Sequence, residues 1–275
     1  MCAQIAFFGG SFTAIDEAYR NELLKTAAEF IEKYPEQFLG IRCSTRPDFI
    51  NKKVLASLKN YGVNAVELGA QSMSDEVLAA NDRGHTAKDV EVASKLIKEA
   101  GIELGLQMMT GLYMDSADAC RYTGRKFVEI APKTVRIYPT VILEKTKLAQ
   151  LMNEKKYNSF SFDETVELCA ELLELFESNG ISVIRMGLHA SDGVENAMLG
   201  GVYHPALREI VESKIAYKKM REQMKKGGRY VVFTDKKNIS KIIGHGGCNK
   251  RTLLEEGISF KIKEEKTTAL RIEEI

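Results

Sequence analysis

The 275-residue sequence has no tryptophan, only five prolines and only five cysteines. The cysteines are odd in number and far apart in the chain: Cys2, Cys43, Cys120, Cys169 and Cys248. This spacing excludes a disulfide framework and the closely spaced cysteine pairs of metal-binding motifs. A reducing cytoplasm would keep such thiols reduced. We therefore predict no metal ligands within this chain.

Long hydrophobic runs are also missing. No stretch approaches the roughly 18 consecutive apolar residues of a membrane span. The first ten residues, MCAQIAFFGG, have no basic region ahead of their short apolar run, which argues against a secretory signal. With 44% apolar and 28% charged residues, the composition is that of an ordered globular chain. We expect a cytoplasmic protein with no membrane partner.

The net charge of +1 hides an uneven distribution. Residues 214–251 contain twelve lysines or arginines and only two acidic residues, so that the preceding 213 residues are net acidic. A basic segment joined to a mildly acidic body predicts an anionic partner for the basic segment.

Short apolar runs alternate with helical patterns through the first 190 residues. Strands are predicted at 5–8, 41–45, 65–68, 102–109, 135–143 and 181–186, and helices at 17–33, 52–61, 87–100, 117–130 and 163–178. This alternation is typical of βαβ units and a parallel sheet. The pattern does not distinguish an open doubly wound sheet from a barrel.

The character of the sequence changes after residue 190. Residues 191–228 predict a glycine-containing loop and a helix. Residues 229–275 predict a small basic α+β subdomain with the order strand, helix, glycine-rich turn, helix and two strands. We therefore predict three regions: an α/β region at 1–190, a linker loop and helix at 191–228, and the subdomain at 229–275.

Glycines and polar side chains recur where the predicted strands end: Gly9-Gly10-Ser11, Ser44-Thr45-Arg46, Glu67, Gln71-Ser72, residues 107–111 and residues 138–140. In parallel α/β folds, ligands bind outside the carboxyl ends of the strands. The glycines would allow a ligand to approach the backbone closely. The alternative is that each group only shapes a turn or caps a strand. Recurrence after four consecutive strands favours a site.

These segments resemble the radical S-adenosylmethionine (radical SAM) superfamily. The resemblance covers roughly residues 4–213 and rests on IAFFGGSFT, STRPD, ELGAQS, RGHT, LQMMTGL and RIYPT, in that order. The branch it resembles is shared by the elongator catalytic subunit and oxygen-independent coproporphyrinogen III oxidase. It implies a partial, TIM-like (β/α)6 barrel, here without its first strand, followed by the small α+β extension.

The resemblance also implies S-adenosylmethionine (SAM) bound across the strand ends. Gly9 and Gly10 match the backbone pair that meets the methionine amino group. The positions that match the lining of the nucleotide and the methionine carboxylate are Ser44, Gln71, Arg83 and Gln107. An arginine suits a carboxylate because it can pair with it bidentately. Relatives often have an acid where this chain has Gln107. Catalytic residues are not assigned.

The family's cluster loop is not found in this sequence. The resemblance implies a [4Fe-4S] cluster held by a CxxxCxxC loop, and no cysteines of this chain have that spacing. We interpret Cys2 and Cys43 as small buried or edge residues. We therefore expect a chain truncated before its cluster loop and inactive alone, rather than a cluster-free relative.

A second motif lies in the basic subdomain. Residues 244–247, Gly-His-Gly-Gly, have the GxxG form found between two helices in KH RNA-binding domains. Such a loop brings backbone amides close to phosphates, and neighbouring lysines supply positive charge. The candidate RNA-binding residues are Lys241, Gly244, His245, Gly246, Gly247 and Lys250. The alternative is a tight turn in a basic capping subdomain.

Together these features predict a radical SAM-type protein whose intact form would cleave SAM to a 5′-deoxyadenosyl radical and act on tRNA or other RNA. The alternative is a non-catalytic RNA-binding protein that uses the barrel as a scaffold. A tetrapyrrole enzyme is a third possibility, which rests on the resemblance only.

Overall fold

The computed structural model describes residues 3–189, 192–267 and 270–275. The described residues belong to two compact units. The first comprises Met1–Phe160, Leu172–Met186 and Ala190–Val202, and the second comprises Ser161–Glu171, Gly187–His189 and Tyr203–Ile275. None of the helices in the described ranges combines the length and apolarity needed to cross a membrane.

The strands of the first unit are β1 (Ala3–Phe7), β2 (Phe38–Thr45), β3 (Val63–Gln71), β4 (Glu103–Thr110), β5 (Thr134–Pro139), β6 (Val141–Leu143), β7 (Ser182–Met186) and β8 (Met198–Gly201). Six of them form a parallel sheet with the order β1-β2-β3-β4-β5-β7. The other two, β6 and β8, form a separate antiparallel pair.

Helices connect these strands. They are α1 (Glu17–Lys33), α2 (Lys52–Asn60), α3 (Asp75–Ala80), α4 (Ala87–Glu99), α5 (Ala117–Ile130), α6 (Lys147–Asn153), α7 (Phe162–Ser178) and α8 (Asp192–Ala197). The order of the strands in the sheet follows their order in the chain. A doubly wound sheet reverses direction at a switch point, whereas a barrel-type sheet continues in one direction. The observed order therefore favours the barrel type that the sequence left open.

The sheet has one apolar and one polar face. Alternate strand residues such as Val66, Leu68, Leu106 and Ile137 are completely or almost completely buried. Because side chains alternate between the two faces of a strand, the neighbouring positions lie on the opposite face. That face carries Arg42 and Ser44 on β2, Glu67 on β3, Gln107 on β4 and Arg136 on β5.

The elements of the second unit are α9 (Leu207–Gln223), β9 (Arg229–Thr234), α10 (Ile239–Ile243), α11 (Cys248–Glu255), β10 (Ser259–Glu264) and β11 (Arg271–Glu274). The three strands form a sheet with the order β10-β9-β11, in which β10 is parallel and β11 antiparallel to β9. Met220, Val232, Leu253 and Ile258 form its fully buried core. The predicted order of elements in residues 229–275 is confirmed.

Candidate functional site

The carboxyl end of β1 leads into an open glycine turn. Gly9 and Gly10 have φ angles of +95° and +62°, a backbone region that favours glycine. A Cβ atom added at either glycine would meet no heavy atom within 4 Å. The backbone here is therefore accessible to a ligand, as the sequence predicted for these two residues.

Gln71, the last residue of β3, adopts a left-handed backbone conformation with φ +66° and is only 9% exposed. For a residue with a side chain this conformation costs about 1–2 kcal/mol. Its side-chain Nε2 folds back over Gly69, where it would lie 2.7 Å from a Cβ atom. Backbone strain of this kind clusters at functional sites, which is consistent with the predicted role of Gln71.

A buried carboxylate organises the polar face of the sheet. Glu67 is 1% exposed and its Oε1 accepts from Arg42 Nη1 at 2.6 Å and from Arg136 Nη2 at 2.8 Å. Its Oε2 accepts from Gln107 Nε2 at 2.9 Å. Buried charge of this kind is tolerated only when it is paired and hydrogen-bonded.

The same network joins two of the predicted ligand residues. Gln107 Nε2 also donates to Ser44 Oγ, at 3.2 Å. Ser44 on β2 and Gln107 on β4 are therefore brought together across β3, with Glu67 between them. Ser44 lies next to the last residue of β2, whereas Glu67 lies in the middle of β3 and Gln107 just past the middle of β4. The structure therefore corrects the expected strand-end position of Glu67, because β3 continues to Gln71.

An aromatic ring borders the network. The Arg136 guanidinium lies 4.9 Å from the centroid of the Phe8 ring, and its Nη1 donates to the Tyr138 hydroxyl at 3.4 Å. Phe8 is 53% exposed and directly precedes the glycine turn. A cation held against an aromatic face is a stabilising arrangement, and it leaves part of the ring open to solvent.

Arg83 lies between α3 and α4, and in the described part of the chain no hydrogen bond joins it to the Glu67 network. Burial, and then the nearby Arg46 guanidinium, lower the pKa of Arg83. Within the described ranges its guanidinium has no hydrogen-bond or ion-pair partner. Arg46 is paired with Asp48, with 2.7 Å between Nη2 and Oδ2. Two neighbouring guanidinium groups, of which only Arg46 is paired with a carboxylate, favour a bound anion, such as a ligand carboxylate.

Two residues of the network, Arg42 and Arg136, were missed by sequence reasoning. They lie within predicted apolar runs, which we interpreted as strands buried on both faces. A charged residue two positions before Ser44, and another two before Tyr138, share a strand face with those polar residues. That period of two was the signal for a polar face.

The cysteines that the structure describes do not form a cluster site. Within the described ranges, no group of three or more His, Cys, Asp or Glu side chains could hold a metal ion. Burial raises the pKa of Cys169 to about 12. Burial, and then the Glu67 carboxylate, raise that of Cys43 to about 12. Cys120 is also buried, and Cys248 lies in the second unit. Cys2 lies outside the described residues. The cysteines that the structure describes therefore do not fit a [4Fe-4S] cluster.

In the second unit, the GxxG turn joins α10 to α11. The His245 amide donates to Ser213 Oγ at 3.1 Å, and the Gly247 amide donates to the Gly244 carbonyl at 2.8 Å. Arg251 Nη1 donates to the Gly246 carbonyl at 2.6 Å. These bonds fix the conformation of the turn.

The two predicted lysines flank this turn but differ in environment. Lys241 Nζ lies 3.1 Å from Glu212 Oε2, so its charge is already paired. Lys250 on α11 is exposed, and no ion pair to it is present in the described part of the chain. Lys250 is therefore the better placed of the two to meet a phosphate.

A groove of about 570 Å³ runs beside the same turn. Its lining is formed by apolar residues of α10 and β10 together with two lysines and one glutamate: Ile239, Ile243, Lys250, Phe260, Lys261, Ile262 and Glu264. Since β10 is an edge strand of its sheet, this groove is open along one side.

The fold and the site together define a parallel α/β protein with a polar, hydrogen-bonded cluster on one face of a barrel-type sheet. Residues 1–123 match the family model of the radical SAM superfamily, and residues 132–217 match that of the Radical_SAM C-terminal domain. The chain belongs to the radical SAM superfamily, and the resemblance seen in its motifs is confirmed.

Curated relatives point to the elongator branch. Human Elongator complex protein 3 is 29% identical over 185 residues, which cover 61% of this chain and 34% of that protein. A tRNA uridine(34) acetyltransferase of Methanocaldococcus jannaschii is 25% identical over 183 residues, which cover 60% of this chain and 34% of that protein. The chain thus spans about a third of the length of the curated relatives it matches.

Solved structures share the fold. The archaeal Methanocaldococcus infernus Elp3 with an N-terminus deletion (1–46) has a TM-score of 0.67 at 22% identity, covering 80% of this chain and 54% of that one. Streptococcus suis SuiB bound to S-adenosylmethionine has a TM-score of 0.50 at 12% identity, covering 68% of this chain and 40% of that one. These similarities confirm the predicted partial barrel.

Proposed function

We propose that the first unit binds SAM across the ends of β1 to β4, as part of a radical SAM enzyme that acts on RNA in the cytoplasm. The observation that carries this proposal is the hydrogen-bonded cluster of Ser44, Glu67 and Gln107 on the polar face of a radical SAM barrel. The open Gly9-Gly10 turn supports it, because it leaves backbone accessible to a ligand.

Each predicted residue has a role that suits its chemistry. The glycine turn would meet the methionine amino group, and Arg83 would pair with the methionine carboxylate. Ser44, Gln71 and Gln107 would contact the nucleoside. SAM bound to a reduced iron–sulfur cluster supplies a 5′-deoxyadenosyl radical. Because the described cysteines do not fit such a cluster, we assign no cleavage step to these residues.

The SAM proposal is tested by isothermal titration calorimetry. A methyl group at Gly10 would enter the open space of the turn, so Gly10→Ala should weaken SAM binding at least tenfold. Gly180→Ala is the matched control, since Gly180 has φ +71°, equally open surroundings, and a place at the other end of the strands, before β7. Absence of SAM binding to the wild-type chain would reject the proposal.

We further propose that the second unit binds single-stranded RNA, with phosphates near the GxxG turn and bases in the neighbouring groove. The groove supports this proposal because apolar residues can stack against bases while Lys250 and Lys261 face the backbone. The relative from M. jannaschii, by its name a tRNA enzyme, supports tRNA as the substrate.

A gel-shift titration with tRNA at several salt concentrations tests this second proposal. Binding should weaken as salt rises, and both Lys250→Glu and Gly246→Asp should reduce it. A Cβ at Gly246 meets no heavy atom within 4 Å, so a substitution there causes no clash at that atom, although the φ of +57° costs about 1 kcal/mol. Lys52→Glu, an exposed lysine of the first unit, is the control. No shift at low salt would reject RNA binding.

A non-catalytic RNA-binding protein is the second candidate. The observation that favours it is that the described cysteines do not fit a cluster. The two experiments separate the candidates, because a scaffold protein would bind tRNA without binding SAM.

A further inference from the structure

We infer that Glu67 is a positioning residue that holds the Gln107 side-chain amide in one orientation, with its oxygen presented to the ligand as a hydrogen-bond acceptor. This inference rests on the proposed binding of SAM and adds which of its groups Gln107 meets. Gln107 would accept from a hydroxyl of the nucleoside and would not meet the methionine carboxylate.

The orientation of the amide follows from its partners. An ionised carboxylate can only accept hydrogen bonds, so the Gln107 atom 2.9 Å from Glu67 Oε2 must be the nitrogen. The second N–H of the same nitrogen donates to Ser44 Oγ at 3.2 Å. Both donors of the amide are thereby used within the protein.

The remaining atom of the amide is therefore its oxygen. Gln107 Oε1 has no hydrogen-bond partner within the described ranges, and Gln107 is only partly buried. It lies on the polar face of β4, one strand from Arg136. An amide fixed in this way repels a carboxylate and attracts a hydroxyl or ammonium donor.

Glu67 cannot turn away from Gln107 because its other contacts hold it. Arg42 Nη1 lies 2.6 Å from Oε1, and Arg136 Nε lies 2.6 Å from Oε2. The carboxylate is 2% exposed, so water does not compete for these bonds. The two arginines therefore position Glu67, which in turn positions Gln107.

The test compares SAM binding by calorimetry among four full-length proteins. Glu67→Gln lets the two amides rotate, and we expect SAM to bind about tenfold more weakly, as for the loss of one hydrogen bond. In Glu67→Gln/Gln107→Glu the pair is reversed: the amide at 67 donates to a carboxylate at 107, which again presents an oxygen. This double variant should bind within about threefold of wild type. Glu103→Gln makes the same chemical change next to Arg42 without touching Gln107, and it should bind like wild type.

The outcomes are distinct. Wild-type affinity in Glu67→Gln, or a folded double variant that binds as weakly as Glu67→Gln, would overturn the inference. If Glu67 had a purely structural role, the folded double variant would bind SAM as weakly as Glu67→Gln. Proton exchange of the Gln107 side-chain amide, measured by NMR, decides the orientation without SAM: it should be slow in wild type and faster in Glu67→Gln. Fast exchange in wild type overturns the inference. Slow exchange with no SAM binding in wild type overturns only the proposed function.

Discussion

At the scale of single residues, Glu67 is the centre of the polar face of the barrel, because its carboxylate accepts hydrogen bonds from two arginines and one amide. Removing one partner of a buried ion pair typically costs about 3–5 kcal/mol, since it leaves charges buried and uncompensated. Glu67→Ala should therefore lower the free energy of unfolding by about that amount.

Urea unfolding followed by circular dichroism measures this change. Glu103→Ala is the control, because Glu103 is 40% exposed and lies 3.7 Å from Arg42, so its removal should cost less than about 1 kcal/mol. An equal loss in the free energy of unfolding for the two substitutions would show that the buried Glu67 stabilises the fold no more than the exposed Glu103 does.

The sequence pointed to Ser44 and Gln107 as candidate ligand residues but not to their contacts within the protein. Their resemblance to ligand-binding positions left the contact of Gln107 open, because an amide can donate or accept. The distance to Glu67 shows that the amide nitrogen of Gln107 donates within the protein. Two partners that are 40 residues apart in the chain leave no local pattern from which such a contact could be predicted.

The buried thiols permit a prediction about pH. Burial raises the pKa of Cys43 and Cys169 to about 12, so both are protonated, and thus unreactive, below about pH 10. Iodoacetamide should label Cys248, which is partly exposed, and leave Cys43 and Cys169 unmodified in the folded protein at pH 7 and at pH 9.

Peptide mass spectrometry locates the labelled thiols. In urea the burial is lost, the pKa values return to the ordinary cysteine range, and all three thiols should react at pH 9. Modification of Cys43 in the folded protein at pH 7 would contradict its assignment as a protonated, buried residue.

At the scale of elements, the sequence predicted the elements with strong local signals. The helices at 17–33 and 117–130 have the predicted bounds, and α4 begins one residue after Thr86, whose side chain accepts from the Asp89 amide. Short elements were missed, namely α3, α6, α8 and β8, since segments of four to seven residues show too little periodicity.

One predicted strand, 135–143, is divided by the structure. Apolar residues lie on both sides of Pro139-Thr140, but β5 ends at Pro139 and β6 begins at Val141. β6 then pairs with β8, where Val141 lies opposite Gly201. That pairing involves residues about 60 positions away, so the hydrophobic pattern alone could not show it.

The GxxG turn permits a prediction that separates its glycines. A Cβ at Gly244 would lie 2.6 Å from the Asn249 amide nitrogen and from Cys248 Sγ, whereas a Cβ at Gly246 would meet nothing within 4 Å. Both have positive φ, which alone costs about 1 kcal/mol for alanine. Gly246→Ala should therefore cost about 1 kcal/mol of stability, and Gly244→Ala at least 2 kcal/mol.

Thermal unfolding of the two variants measures this difference. Gly244→Ala should lower the melting temperature by more than Gly246→Ala, because it adds a backbone clash to the same strain. A reversed order would mean that the turn rearranges around position 244 and that its bonds to α9 and α11 are weak.

At the scale of the whole molecule, the fold engages part of the basic charge that the sequence concentrates in residues 214–251. Lys214 and Lys218 pair with Glu167, and Lys241 pairs with Glu212. Counting charges along the chain therefore overstates the positive charge available to an anionic partner. Lys250, which is exposed beside the groove, keeps an unpaired charge among the residues that the structure describes.

The distribution of cysteines over the molecule leads to the last prediction. Cluster assembly needs several thiolates on one loop or in one pocket. Here Cys43 lies on β2, Cys120 on α5 and Cys169 on α7, each buried.

Anaerobic reconstitution of this 275-residue chain with iron and sulfide should therefore give no stable cluster. After desalting, the chain should retain far fewer than the roughly four iron atoms of a [4Fe-4S] protein and should show no broad visible absorbance. SAM binding should be unchanged by the treatment, because the proposed ligand residues need no iron to fold. A chain that retains about four iron atoms, with a matching absorbance, would show that its cysteines converge in a way that the described structure does not support.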